Sequence, residues 1–170
     1  EVKLHLKAVG EMITNDGLPD AIAPLVVGFA GYGNVSKGAQ EILELLPVTE
    51  ITPGELECLN EDYSNRTVYK VVFKESDMVA PIERQVPFSL QDYYKNPEKY
   101  RSCFEKYISS LSILMNCIYW DQAYPRLISK EQIGRLYRND LKLKVIGDIS
   151  VDINGAIEFT EKSTSPESPS

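Results

Sequence analysis

The sequence predicts an α/β fold built around parallel strands, and three strand-like stretches carry that prediction. They lie at residues 25–30, 111–120 and 143–150, and the first is an uninterrupted apolar run with β-branched residues. Such a run is typical of a strand that is buried on both faces. Helical patterns lie between the three stretches. Because alternating strands and helices cover both faces of a sheet, we predict a doubly wound, Rossmann-like fold.

The two ends of the chain differ in composition from its middle. Residues 1–13 have apolar side chains at helical spacing, and Gly17 and Pro19 stop the helix. The last residues, from Ser163, are Ser, Thr, Pro and Glu and read as a linker. Both ends suggest a piece of a longer polypeptide. We divide the chain into a helix and turn that enter from a flanking domain (1–20), the sheet domain (21–160) and a tail (161–170).

A glycine-rich turn joins the first strand to an amphipathic helix that ends at Pro47. Gly31 permits a tight turn, and Gly33 lets a pyrophosphate approach the backbone. Ser36 replaces the third glycine of the usual pattern; it is small enough for close packing, and its hydroxyl can reach a phosphate. The alternative is an ordinary βα turn, but the context favours a dinucleotide-binding unit. The predicted cofactor contacts here are Gly31, Gly33, Asn34, Val35 and Ser36.

The strand predicted at residues 48–53 bears on the choice of cofactor. In NAD-binding units, an acidic residue at the tip of the second strand holds the adenosine ribose. Here Thr52 stands at the tip and Glu50 comes slightly early. An uncharged tip leaves room for a 2′-phosphate, so we favour NADP (NADPH) and keep NAD as the alternative. The candidate partners of that phosphate are Lys70, Lys74 and Arg66.

The remaining elements are predicted from shorter patterns. Residues 67–73 read as a strand, and residues 74–87 as an irregular polar segment. Residues 89–108 read as one or two helices, whose tyrosines are spaced for packing rather than for a binding site. Two further helices are predicted. One begins near Pro53, and the other is capped by Ser129 and continues to Tyr137.

Three strand ends collect the candidate binding residues, at 31–36, 116–120 and 148–152. In an open α/β sheet, the ligand crevice lies beyond the carboxyl ends of the strands. The alternative is that Asn116 only finishes a strand and that Asp148 only caps a turn. Two carboxylates without further oxygen ligands are weak evidence for a cation, so we predict no metal site.

Composition excludes several classes of function. The 170 residues carry a net charge of −7, which argues against nucleic acid and against an anionic membrane surface. No apolar run approaches the roughly 18 to 20 residues of a membrane span. The three cysteines are far apart and predict free thiols in a reducing compartment, hence a cytoplasmic location. One histidine, His5, makes a Ser-His-Asp hydrolase improbable, and we expect it on the surface.

Four motifs in matching order resemble the lysine–2-oxoglutarate reductase part of bifunctional aminoadipic semialdehyde synthases. The resemblance extends from about residue 7 to residue 166, and more distantly it includes saccharopine dehydrogenases and the alanine dehydrogenase/transhydrogenase fold. It implies a nucleotide-binding domain that is inserted within a second, discontinuous domain. The motifs are GYGNVSKGAQEILELLP, DYYKNPEKY, NCIYWDQAYPRL and GDISVDINGAIEF.

The resemblance also implies a reaction. Family members condense lysine with 2-oxoglutarate to saccharopine using NADPH, or run the related oxidation with NAD, with hydride passing between the nicotinamide and an imine carbon. The acid/base Lys and His of the saccharopine dehydrogenases lie in the flanking domain and have no counterpart here. We therefore expect no catalytic residue in this chain, cofactor binding without turnover, and the flanking domain as a partner. An animal-type enzyme would be mitochondrial.

Carried over by position, Gly33 and Asn34 match the pyrophosphate turn, and Tyr119 matches a cofactor contact. Thr52 stands where NAD-using relatives carry an acid. Two other readings stay open: a noncatalytic nucleotide-sensing module, and an oxidoreductase of the same fold with another amino-acid substrate. The predicted nicotinamide-side loop is Asp148, Ile149, Ser150 and Val151, and the substrate-side candidates are Trp120 and Asp152.

Overall fold

A computed structural model of the protein describes residues 1–59, 62–138 and 141–165. Its helices are α1 (Val2–Asp16), α2 (Asn34–Leu43), α3 (Pro53–Cys58), α4 (Glu75–Met78), α5 (Leu90–Lys95), α6 (Glu105–Ile108) and α7 (Lys130–Tyr137). Its strands are β1 (Val26–Ala30), β2 (Val48–Ile51), β3 (Val68–Phe73), β4 (Val79–Pro81), β5 (Tyr100–Ser102), β6 (Ile113–Asn116) and β7 (Val145–Asp148). A 3-10 turn, Pro97–Lys99, precedes β5.

Five parallel strands form the central sheet in the order β2-β3-β1-β6-β7, which confirms the predicted Rossmann-like α/β fold. The order departs from the usual 3-2-1-4-5 arrangement, because the second and third strands have exchanged places. β3 lies beside β1, and β2 lies at the edge. This exchange moves Thr52 one strand away from the glycine-rich turn.

Alternate residues of β1 face two separate apolar cores, as a sheet with both faces covered requires. Val27 and Phe29 pack with the apolar sides of α1 and α2. Val26 and Ala30 pack with residues that follow β3 and with the last part of the described chain. Between them, Gly28 has no room for a side chain, since an added Cβ would lie 2.9 Å from side-chain atoms of Leu111 and Phe73.

Residues 74–108 are the part of the fold that the sequence predicted least well. The stretch predicted as irregular contains α4 and β4, and the predicted second helix is interrupted by β5. β4 and β5 pair antiparallel, so each supplies the backbone hydrogen bonds that the other lacks. Buried Tyr100 packs against Phe88 and Tyr93, with ring centroids 5.8 and 5.2 Å away. The spacing of the tyrosines in residues 89–108 therefore reflects an aromatic cluster rather than one long helix.

The helix predicted for the first residues is present as α1, and its end is held by Arg66, which lies just before β3. Gly17 follows α1 with a φ of 81°, a backbone conformation that favours glycine. The Arg66 guanidinium donates to the carbonyls of Thr14 and Asn15 at 2.8 and 2.7 Å, which satisfies acceptors of the last turn. His5 is exposed on this helix, as expected. Among the described residues, no helix is both long enough and apolar enough to cross a bilayer.

Candidate functional site

The glycine turn, residues 31–33, lies at the carboxyl edge of the sheet between β1 and α2. Gly31 has a φ of +96°, and its N–H donates to the carbonyl of Phe73 at 3.0 Å. An added Cβ would lie 3.1 Å from the Ile118 side chain and 3.3 Å from the Cys117 carbonyl oxygen. Both the conformation and the close packing therefore require glycine at this position.

Gly33 differs from Gly31 because the fold itself does not require a glycine there. Its backbone is extended, and an added Cβ would meet nothing within 4 Å. It is the N-cap of α2, and no described side chain caps that helix. Asn34 and Val35 follow on the exposed first turn, where backbone N–H groups lack intrahelical partners. An open space in front of uncapped N–H groups fits a phosphate.

Ser36 is the predicted contact that the structure places inside the protein. The residue is fully buried, and its Oγ accepts a hydrogen bond from the Gln40 side chain at 2.9 Å. It fills the predicted packing role of the third glycine, but its hydroxyl does not face solvent. Beneath it, burial raises the pKa of the Cys117 thiol, and the hydrogen bond to Ser36 acts in the opposite direction.

Two cavities adjoin the glycine turn, and Tyr32 lines both. The first, of about 320 Å³, lies on the β6 side, and we call it the tyrosine cavity. The second, of about 790 Å³, lies on the β2 and β3 side, and we call it the lysine cleft. An extended ligand crossing the turn can therefore occupy both. The tyrosine cavity is lined by Tyr32, Tyr93, Tyr94, Tyr119, Tyr124 and Glu75 among others, and the lysine cleft by Lys37, Glu50, Thr52, Glu55, Lys74 and Asp77 among others.

Glu75 organises the tyrosine cavity. One oxygen of its carboxylate accepts hydrogen bonds from the hydroxyl of Tyr94 at 2.6 Å and from that of Tyr32 at 3.5 Å. The hydrogen bond to Glu75 raises the pKa of Tyr94, and the carboxylate charge raises the pKa of Tyr32. Burial raises the pKa of Tyr93 to about 12. These phenols are therefore neutral near pH 7, and their rings can contact a planar ligand.

Apart from Tyr119, which was predicted as a cofactor contact, the tyrosines of this cavity are functional candidates that sequence reasoning missed. We expected the tyrosines of residues 89–108 to serve packing alone; Tyr100 does so, whereas Tyr93 packs against Tyr100 and also lines the cavity. Tyr94 is instead 52% exposed and faces the cavity. The adjacency of Tyr93 and Tyr94 was the available signal, because neighbouring helical residues point in different directions and cannot share one buried face.

The loop that follows β7 lies next to the tyrosine cavity and is held by Asp148. Its carboxylate accepts hydrogen bonds from the Asn116 amide at 2.8 Å, from the Val151 N–H at 3.3 Å and from the Thr160 hydroxyl at 2.5 Å. Val151 has a φ of 51°, which is unfavourable for a β-branched residue. The bond to Asp148 offsets that cost and fixes the loop. Ile149 and Val151 are exposed on this loop.

Ser150 links this loop to the cavity wall, since its hydroxyl donates to the Ile118 carbonyl at 2.6 Å. In the described part of the chain, residues 148–152 line neither cavity. They adjoin the site through Ile118, which lines the tyrosine cavity. Buried Asn116, which ends β6, donates to Asp148, while its own Oδ1 has no described partner. Asp152 is half-buried, and its backbone carbonyl accepts from the Gly155 N–H at 2.7 Å.

The two aromatic residues after β6 have different roles. Tyr119 is 84% exposed at the edge of the tyrosine cavity, where it is free to contact a ligand. Trp120 is half-buried, and its indole N–H donates to the Pro125 carbonyl at 3.2 Å. The Arg126 guanidinium lies 5.1 Å from the Trp120 ring, in a cation–π arrangement. Trp120 therefore supports the wall rather than standing free in the site.

Thr52 lines the lysine cleft, but it lies one strand farther from the glycine turn than the sequence prediction assumed. It caps α3 one strand away from β1, in a capping box with Glu55. Glu55 accepts hydrogen bonds from the Thr52 N–H at 2.7 Å and from its hydroxyl at 2.8 Å, and these bonds lower the Glu55 pKa. The tip of β2 thus carries a carboxylate after all. The signal was the Thr-Pro-Gly-Glu sequence, a capping-box pattern.

The structure also separates the three cations that were considered for a phosphate. Lys70 is buried, and its ammonium pairs with Glu44 at 2.9 Å and Glu50 at 2.8 Å. Arg66 is engaged with the end of α1. Lys74 is exposed and lines the lysine cleft, so it alone of the three faces the site. Within the described residues, no group of three or more His, Cys, Asp or Glu side chains is placed to hold a metal ion.

Comparison with known proteins finds relatives that are named alpha-aminoadipic semialdehyde synthase. An alpha-aminoadipic semialdehyde synthase from Arabidopsis thaliana is 41% identical over an alignment of 179 positions, gaps included, that covers 98% of this chain. The proteins named alpha-aminoadipic semialdehyde synthase, mitochondrial, are 35% identical in Bos taurus and 34% identical in Mus musculus, each over 89% of this chain. No family model matches the chain.

These relatives are much longer than the chain, which spans 17% of the plant protein and 18% of each of the two animal proteins. Almost all of the chain aligns, and the aligned part contains the glycine turn and both cavities. The identity over nearly the whole chain agrees with the fold and with the order of the four motifs. The chain therefore belongs to the alpha-aminoadipic semialdehyde synthase family, of which it represents one segment.

Proposed function

We propose that the chain is the NAD(P)-binding segment of an oxidoreductase that condenses lysine with 2-oxoglutarate to saccharopine, or runs the reverse reaction. One observation carries the proposal: an open glycine turn stands at the carboxyl edge of a parallel sheet, with a cavity on each side. Parallel α/β sheets bind ligands at this edge. The family relationship supports the choice of reaction.

The residues present fit a dinucleotide. Open space at Gly33 and the uncapped first turn of α2 would receive the pyrophosphate, whose charge the helix N–H groups offset. The lysine cleft would take the adenosine half, and the tyrosine cavity the nicotinamide half. The bound cofactor would supply the hydride that reduces the imine carbon. Tyr119 and the loop from Asp148 to Val151 would then border the nicotinamide side.

The chain's own side chains would bind and orient rather than transfer protons. Glu75 holds Tyr94 and Tyr32 in place, and neutral phenols can donate hydrogen bonds to a ligand. The lone histidine is exposed on α1, outside both cavities. We therefore keep the acid and base in a flanking domain, the chain's proposed partner. By this account the chain binds cofactor and does not turn over lysine, 2-oxoglutarate or saccharopine by itself.

The compartment and the cofactor type are parts of the same proposal. Cys58, Cys103 and Cys117 are all free thiols in the structure, which supports a reducing compartment. The names of the animal relatives support a mitochondrial location for an animal-type enzyme, beside the cytoplasmic one expected from the cysteines. For the cofactor, exposed Lys74 in the lysine cleft supports NADP over NAD.

Calorimetric titration of the 170-residue chain with NADPH, NADP, NADH and NAD tests the proposal. We expect saturable binding of at least one pair, with NADP(H) tighter, and no binding by the Gly33→Val variant. A preference for NAD(H) would move the assignment toward the oxidative relatives. If a chain that is folded by circular dichroism binds none of the four, the dinucleotide assignment is wrong.

A further inference from the structure

We propose that Lys74, together with Lys37, binds the 2′-phosphate of NADP(H), so that β3 rather than β2 carries the determinant of cofactor choice. The inference rests on the proposed dinucleotide site. It names the residues that read the ribose substituent, and it replaces Thr52 in that role.

The strand order brings the tip of β3, and not that of β2, next to the glycine turn. β3 pairs directly with β1, with Phe73 opposite Ala30, and the Gly31 N–H donates to the Phe73 carbonyl. The residue that leaves the sheet beside the glycine turn is therefore Lys74. β2 stops earlier and farther out, because its last residue, Ile51, lies opposite Val71 of β3.

The position of Lys74 is the one that contacts the ribose in dinucleotide-binding units. In dinucleotide-binding units, the tip of the strand next to β1 carries an acid when the ribose 2′ position is a hydroxyl, and a nearby cation when it is a phosphate. Here the position holds a lysine. Lys37 lines the same cleft from the first turn of α2, where its N–H donates to the Gly33 carbonyl at 3.0 Å. Two ammonium groups thus serve a cleft next to the turn.

Three carboxylates also line the lysine cleft. Glu50 pairs with Lys70 at 2.8 Å, and Glu55 accepts from the N–H and hydroxyl of Thr52. Asp77 accepts from the backbone N–H of Lys74 at 2.8 Å, so it orders the lysine's backbone. Each carboxylate therefore has a partner within the protein.

The two lysines of the cleft differ from these acids. Both are exposed, and in the described part of the chain neither ammonium forms an ion pair with a carboxylate. Exposed lysines keep their charge and pair readily with phosphate as point charges. The two ammonium groups can therefore reach a 2′-phosphate, whereas Glu55 and Asp77 keep their charge but accept hydrogen bonds from groups of the protein.

Two substitutions of Lys74 and one of Thr52 test the inference by calorimetry with NADPH and NADH. We expect Lys74→Ala to weaken NADPH binding by about tenfold or more and to leave NADH within about twofold. Lys74→Glu should reverse the preference, because a carboxylate repels the phosphate and accepts from the free 2′-hydroxyl. Thr52→Asp places a carboxylate in the same cleft but one strand farther from the glycine turn, so it should change the NADPH/NADH ratio less than Lys74→Glu does.

The controls separate this inference from the proposed function. Lys3→Ala removes an exposed lysine of α1 outside the lysine cleft and should change neither affinity. Lys37→Ala should lower NADPH affinity less than Lys74→Ala, and the loss should shrink as salt concentration rises. Equal losses for both cofactors at Lys74, or a larger change of the ratio at Thr52, overturn the inference. Failure of the unmodified chain to bind either cofactor overturns the dinucleotide site itself.

Discussion

Valine at position 33 should remove cofactor binding and leave folding almost unchanged. The Gly33 backbone is extended, with φ −73° and ψ −171°, a conformation that a β-branched residue adopts easily. An added Cβ meets nothing within 4 Å. The cost to stability is then that of a poorer N-cap, about 1 kcal/mol or less.

The effect on binding should be far larger, because the valine methyl groups would occupy the space that the pyrophosphate needs. Losing the approach of phosphate to the backbone and to the first turn of α2 should weaken dinucleotide binding by at least about a hundredfold, a loss of about 2.8 kcal/mol or more, so that the titration detects no binding. Urea denaturation measures the first quantity, and calorimetric titration measures the second.

Gly31→Ala is the matched variant, since it changes the same turn at a glycine that the fold itself requires. With φ at +96° and a Cβ only 3.1 Å from the Ile118 side chain, alanine should cost about 1–3 kcal/mol of folding free energy. The reasoning is refuted if Gly33→Val binds NADPH as the unmodified chain does. It is also refuted if Gly33→Val loses as much stability as Gly31→Ala.

Three further predictions follow from the same geometry. Asp148→Ala should weaken cofactor binding by severalfold and cost about 1–3 kcal/mol of stability, because the loop loses its anchor; full affinity in that variant would make Asp148 purely structural. Glu75→Gln should shift the alkaline absorbance titration of Tyr94 to lower pH, since the carboxylate raises that phenol's pKa; comparison with Tyr94→Phe identifies the signal, and an unchanged titration contradicts the contact. Lys70→Met should change the urea midpoint little, whereas Glu44→Gln combined with Glu50→Gln should lower the free energy of unfolding by about 2 kcal/mol or more, because a buried ammonium is left unpaired. The reverse ranking would show that the ion pairs themselves stabilise the fold.

Local patterns predicted the parts of the fold that depend on near neighbours. The apolar run of β1, the turn at Gly31 and the amphipathic α2 follow each other closely, and the structure has all three. Ser129 forms the expected cap of α7, in a capping box with Gln132. Such features depend on hydrogen bonds and packing within a few residues, so spacing alone identifies them.

The rest depends on contacts between distant segments, which spacing does not encode. β4 and β5 are three residues long and become strands only because they pair with each other. The same holds for the cavities, whose walls join the glycine turn to Tyr94 and Tyr124 from elsewhere in the chain. Position in the sheet, and not order in the sequence, decides which strand tip borders the turn, so counting strands along the chain led to Thr52 rather than to Lys74.

A signal for the exchanged strands was nevertheless present in the sequence. β3 (VYKVVF) is apolar at five of its six positions, as an interior strand should be, whereas β2 (VTEI) carries Thr49 and Glu50, both exposed, and suits an edge. Lys70 is the exception within β3. A lysine on an edge strand would reach water, but Lys70 is only 5% exposed and needs carboxylate partners. Neighbouring elements supply both partners, since Glu50 lies opposite Lys70 on β2 and Glu44 follows α2. The buried lysine therefore marks β3 as interior, and an interior β3 is what brings Lys74 to the glycine turn.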